Sequence, residues 1–123
     1  MHMRHEVRVE APIEHVWAFY CDTSRWPEWL PRGEFRDFTG PVDQVGTTYV
    51  VTVRLMGYES RPPMEIVEVE PLRLIHEHND DGPKDKYIRF EPDGEATRFA
   101  IESIGDVPGR MRRFIKDLVI AAW

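Results

Sequence analysis

Residues Val7 to Pro31, VRVEAPIEHVWAFYCDTSRWPEWLP, join three folding signals in a fixed order: an alternating strand, an Ala-Pro step into a short helix, and a Trp-Pro-Glu-Trp turn. Val7 and Val9 alternate with Arg8 and Glu10, as a strand with one buried face requires. Pro12 stands where a helix can lose an N–H without cost, and Ile13, Val16, Trp17 and Tyr20 follow at the three-and-four spacing of one helical face. Asp22, Thr23 or Ser24 can cap a second short helix, on which Trp26 and Trp29 lie one turn apart before Pro31 closes it.

Beyond Pro31 strand signals dominate. Glu34 to Thr39 alternates weakly and ends at the Gly40-Pro41 turn. Thr47 to Met56 is the clearest strand, with Tyr49, Val51, Val53 and Leu55 on one side and Val50, Thr52, Arg54 and Met56 on the other. Apolar groups on both sides predict a central position. Gly57 to Ser60 reads as a turn, Met64 to Glu70 as a strand stopped by Pro71, and Leu72 to His78 as another closed by Asn79-Asp-Asp-Gly-Pro83. Lys86 to Glu91 and Glu95 to Ile104 pair across Pro92-Asp93-Gly94 in a tight hairpin. Past Gly109 the period changes, and Met111, Phe114, Ile115, Leu118, Val119 and Ala122 recur at helical spacing.

The order of strand, two small helices, six strands and a terminal helix, with Ala11-Pro12, Val16-Trp17 and Trp26-Pro-Glu-Trp29 at its start, resembles the START-like (SRPBCC) helix-grip superfamily. Within it, the chain is most similar to the polyketide cyclase/dehydrase and lipid-transport group. The resemblance spans nearly the whole chain and implies an α+β helix-grip fold: a curved seven-stranded antiparallel sheet with two short helices, and a C-terminal helix over a cavity. It also implies a small hydrophobic or amphipathic ligand in that cavity. Family members usually carry a longer last helix. Residues 110–123 span roughly 21 Å as a helix, against roughly 33 Å for a ten-residue strand. The apolar end Ile120-Ala-Ala-Trp123 therefore calls for cover by its own sheet, by further chain or by a second copy, so a homodimer stays open.

Composition narrows the function classes. At 123 residues, 41% hydrophobic and 31% charged, residues 1–123 are expected to fold as one domain. A net charge of −6 with no basic face argues against nucleic acid, and Arg110, Arg112, Arg113 and Lys116 read as the solvated face of the last helix. The lone Cys21 permits no internal disulfide, and no apolar run reaches the roughly 20 residues that cross a bilayer. A cytoplasmic protein without membrane insertion is expected.

No nucleophile elbow, phosphate loop or paired-Cys motif is present, so any chemistry must come from scattered polar groups in the cavity. His76 and His78 share a strand face with Cα atoms roughly 6.8 Å apart. Their acidic and amide neighbours Glu77, Asn79, Asp80 and Asp81 suggest that the strand is emerging into solvent, and no third ligand is evident, so no metal and no organic cofactor are expected. Tyr87 and Arg89 share a face and, with Tyr49, could hydrogen-bond a ligand carbonyl or enolate if they point inward, and Val51, on the same side of its strand as Tyr49, is expected to contact the ligand as well. An inward Glu102 would have its pKa raised and could act as a base. Trp17 and Trp29, with Trp26, Phe19 and Phe35, suit either a flat apolar ligand or an ordinary core. Met111, Phe114 and Leu118 form the stripe expected to face the sheet. Three functions stay open: ligand binding, cofactor-free cyclase or dehydratase chemistry, and a protein-interaction module.

Overall fold

The computed structural model describes residues 2–30, 33–53, 58–59, 63–80 and 85–105. The expected terminal helix, and with it Met111, Phe114 and Leu118, lies outside them. Among the described residues eight strands are seen: β1 (His2–Val9), β2 (Gly33–Arg36), β3 (Thr48–Val53), β4 (Tyr58–Glu59), β5 (Met64–Glu70), β6 (Leu74–His78), β7 (Asp85–Asp93) and β8 (Ala96–Ile104). Helix α1 (Ile13–Cys21) and, after a 3₁₀ turn at Thr23–Arg25, α2 (Trp26–Trp29) fall between β1 and β2.

Seven strands form one continuous antiparallel path in the order β1-β8-β7-β6-β5-β3-β2, and β4 pairs with β3 off that path. This is the curled sheet with two short helices that the resemblance implies. The turn expected at residues 57–60 is instead part strand, since Tyr58–Glu59 pairs with Thr52 and Val53. Strand β6 also begins later than expected, because Leu72 takes a left-handed conformation (φ 64°) in the turn after Pro71. At the other hairpin Gly94 (φ 62°) supplies the positive φ that lets β7 turn straight into β8, as the Asp-Gly pair predicts.

Which side chains face inward is set by register. Ile66 pairs with Glu77, but Glu68 pairs with His76, so Val67 is an extra residue in β5. This bulge flips the parity of the strand, turning Met64 and Ile66 inward before it and Val69 after it, and it bends the sheet. Helix α1 lays Ile13, Val16 and Tyr20 on the inner face, and Trp17 meets the edge of Phe90 at 4.9 Å between ring centroids. Trp26 is completely buried among Phe35, Phe38, Tyr49 and Tyr20, and its indole N–H donates to the Tyr20 carbonyl at 2.7 Å. That bond fixes α2 against the end of α1. Such a burial typically contributes several kcal/mol, since truncating a core Trp costs about 3–5 kcal/mol.

Candidate functional site

Strand alternation builds a polar row into the apolar inner face. Ile75 and Glu77 of β6, Lys86, Ile88 and Phe90 of β7, and Thr97, Phe99, Ile101 and Ser103 of β8 are all buried. Glu77, Lys86 and Ser103 are direct neighbours across the three strands. Lys86 Nζ lies 2.8 Å from Glu77 Oε2, with the two side chains 2% and 0% exposed. Tyr49, arriving from β3, donates its hydroxyl to the Glu77 carboxylate, both of whose oxygens are 2.9 Å away. Lys86 also reaches the Tyr49 hydroxyl at 3.4 Å. Desolvating two charges costs several kcal/mol per ion, so an apolar pair would serve the core at least as well. This makes the triad a candidate for chemistry rather than for packing.

A cavity of about 420 Å³ opens between α1 and the β1–β8 edge, and none of the three triad residues is among its lining residues. Val7, Val9, Ala11, Val16, Phe19 and Phe99 supply apolar walls, with His15, Tyr20 and Trp29 completing them. A larger depression of about 600 Å³ at the start of α1 and the β7–β8 turn is mixed in character, with Glu10, Glu14 and Glu95 set among Ala11, Pro12, Ile13, Pro92, Gly94 and Ala96. The Tyr20 hydroxyl and the Trp29 indole N–H, on two residues that line the apolar cavity, are themselves buried away from the open space and have no hydrogen-bond partner among the described residues. Burial, then the charge of Glu77, pushes the Tyr20 phenol well above its ordinary pKa, and the same two causes act on Tyr49. Both phenols are therefore neutral donors at physiological pH. Burial likewise pushes the half-buried Cys21 thiol up to about 12, which leaves it a packing residue and not a nucleophile.

The sequence-derived candidates divide between the two faces. Tyr49 and Val51 are buried on the inner side, Trp29 lines the cavity, and Trp17 packs against the core at Phe90 and is not among the cavity's lining residues. Tyr87, Arg89 and Glu102 lie on the outer face, in contrast to the expected inward orientation, because Ile88 and Phe90 occupy the inward parity of β7. Arg89 donates to Glu102 at 3.2 Å and stands over the Tyr87 ring, and His2 Nε2 is 2.6 Å from Glu102. Hydrogen bonding from His2 and then Arg89 holds the Glu102 carboxyl below its ordinary value, the opposite of a buried base. His76 and His78 are also on the outer face, His76 stacked on Tyr87 at 4.2 Å, and both contact Asp85 Oδ1, at 2.8 and 3.1 Å. Their neighbours Glu77 and Asn79 are buried, so the strand does not emerge into solvent there as its polar composition suggested. Glu77, Lys86 and Tyr20 are the site residues that sequence reasoning missed. Their signal was parity with Ile75, with Ile88 and Phe90, and with Ile13 and Val16 respectively.

Comparison with known proteins agrees with this architecture. The family model for polyketide cyclase / dehydrase and lipid transport matches residues 1–123. No curated protein matches the chain. Among solved structures, protein BH1534 of Bacillus halodurans superposes with a TM-score of 0.68 at 16% identity, covering 99% of this chain and 91% of that one. A Thermobifida fusca protein gives 0.67 at 19%, covering 96% and 82%. DynU16, a protein of the dynemicin biosynthetic locus, gives 0.62 at 20%, covering 98% of this chain and 46% of its own. At these identities the likeness is one of fold.

Proposed function

The chain belongs to the polyketide cyclase / dehydrase and lipid transport family, and from that premise we propose that it binds a small hydrophobic or amphipathic molecule in the cavity between α1 and the β1–β8 edge. The observation that carries this reading is the cavity itself: about 420 Å³ with walls drawn from valine, alanine and aromatic side chains, within the size range of small-molecule sites. An apolar molecule placed there removes its own surface and that of Val7, Val16, Phe19 and Phe99 from water, a gain of about 25 cal/mol per Å² before the costs of association. Native mass spectrometry of protein purified under mild conditions tests it. Binding predicts an adduct of a few hundred daltons, or uptake of an added apolar dye, that disappears on denaturation; protein that stays unliganded with every apolar probe argues against it.

A second reading, cofactor-free cyclase or dehydratase chemistry, is favoured by the buried Lys86–Glu77–Tyr49 triad. Paired acidic and basic groups out of water are the equipment for moving a proton on and off a carbonyl compound. Here Lys86 and Tyr49 are the donors and Glu77 the acceptor. Turnover of an aromatic polyketide-like substrate that survives Tyr87→Phe and is lost in Glu77→Gln supports this reading; binding without turnover leaves the carrier.

A further inference from the structure

Strand β1 forms a long edge of the sheet. Its eight residues pair with β8 from His2–Ile104 to Val9–Thr97 without a bulge or a proline, and among the described residues β8 is its one strand neighbour. The opposite edge is short, since β2 has four residues and β4 two. Which backbone groups of β1 face outward follows from the ladder. The Phe90 N–H donates to the Arg73 carbonyl at 2.9 Å, toward β6, so Phe99, opposite Phe90, turns its own backbone groups toward β1 and meets Val7 there. By alternation Met3, His5, Val7 and Val9 bond to β8, while the N–H and C=O of His2, Arg4, Glu6 and Arg8 face the outer edge. An exposed edge of this kind is a template for a further strand.

We propose that this edge takes the β1 strand of a second copy of the chain, antiparallel and two-fold related, so that the two curled sheets join into one. The charges on β1 select that partner and its register. With Arg4 opposite Glu6 of the second copy, the symmetry makes the same pair twice. Arg4 and Glu6 already lie 3.1 Å apart within one chain, so the four groups form a square of alternating charge. A slip of one residue would face the outward bonding groups with groups already bonded to β8. Shifting the register by two residues sets Arg4 against Arg4 in one direction, and Arg4 against Arg8 with Glu6 against Glu6 in the other. A shift that opposes Glu6 and Arg8 overlaps β1 only over 5–9, against 2–8 here. On the inner face the chosen register sets Met3 of the second copy opposite Val7, which is 47% exposed in the single chain, with His5 at the two-fold axis. Val7 lines the apolar cavity, so the second copy extends that wall.

Sedimentation velocity of the full chain across the micromolar range tests this, and none of its outcomes depends on the cavity being a ligand site. The expected result is a concentration-dependent species of twice the 14.5 kDa chain mass. Glu6→Pro removes an N–H that β8 does not use, so the fold is retained, while the joining ladder loses its central bonds; it should give single chains throughout. Arg4→Glu or Glu6→Arg should weaken association about tenfold by setting like charges opposite each other, and the two together should return it to within about threefold of the unaltered protein. Circular dichroism and melting temperature verify the fold of each variant, and if Glu6→Pro melts early the charge variants, at exposed positions, decide alone. Single chains at every concentration overturn the proposal and leave the edge to a strand of another protein. A dimer that survives Glu6→Pro in a folded variant puts the interface elsewhere and overturns it as well. Association that stays weak when the two charge substitutions are combined overturns the pairing of Arg4 with Glu6.

Discussion

A carboxylate and an ammonium at 0% and 2% exposure form the feature of this protein that packing explains least. Breaking such a pair by removing one partner leaves a buried charge, and that costs about 3–5 kcal/mol. Lys86→Met should therefore destabilise the protein by that amount in urea denaturation, with Glu77 left, among the described residues, holding the Tyr49 hydroxyl. Replacing the unit together, Glu77→Leu with Lys86→Met and Tyr49→Phe, should restore most of the loss or exceed the starting stability, because no polar atom is then stranded. If the single variant costs less than about 1 kcal/mol, water reaches the pair and the triad is not a buried unit. If the triple variant is as unstable as the single one, the triad contributes to the core after all.

Strand alternation was legible because it is fixed by the chain's own geometry, and the orientation of the alternation was not. Period two says that Tyr87 and Arg89 share a face with each other and that Lys86, Ile88 and Phe90 share the opposite one; it does not by itself say which face is inner. The apolar pair Ile88 and Phe90 was the better guide, and following it would have carried Lys86 inward against its charge. The β5 bulge at Val67 shifts the side-chain pattern by one residue, and its trace in the sequence is the adjacent apolar pair Ile66-Val67, after which strict alternation would have turned Glu68 and Glu70 inward. On the outer surface the β6–β7 pair carries a pH response of its own. Hydrogen bonds to Asp80 and then Asp85 raise the His78 pKa above 6.5, with burial opposing them. Burial would raise the Asp85 pKa, but the hydrogen bonds from His76 and His78 outweigh it and hold it below 3.8. The His78 contribution is full below 6.5 and fades as pH rises through its folded value; the Asp85 contribution is full above 3.8 and fades as pH falls through its folded value. Thermal denaturation should therefore show this cluster helping most between about pH 4 and 6.5, by no more than about 1 kcal/mol because the groups are partly exposed. The pH-dependent difference from Asp85→Asn checks it, and a difference that grows above pH 8 contradicts it.

At the scale of the whole molecule, the curved antiparallel sheet and the place of the two helices came from a resemblance carried by a few residues, Ala11-Pro12, Val16-Trp17 and Trp26-Pro-Glu-Trp29, which the fold then uses structurally: Trp26 is the buried hub that ties α2 to β2, β3 and α1. The cavity was not legible in the same way, since it is a volume left between elements and no single segment encodes it. Its existence sets stability against binding, because every apolar wall that faces open space forgoes the contacts a filled core would have. Val9, half-buried on β1 at the wall of the cavity, is the position to test this, since phenylalanine is also a good strand former. Val9→Phe should fill part of the space, leave the melting temperature unchanged or raise stability by about 0.5–2 kcal/mol, and weaken uptake of an apolar dye at least tenfold. Retained dye binding in a variant that still folds would place the ligand elsewhere on the sheet; lost binding with lowered stability would mean that the β1–β8 edge is already packed and that the space is smaller than its walls suggest.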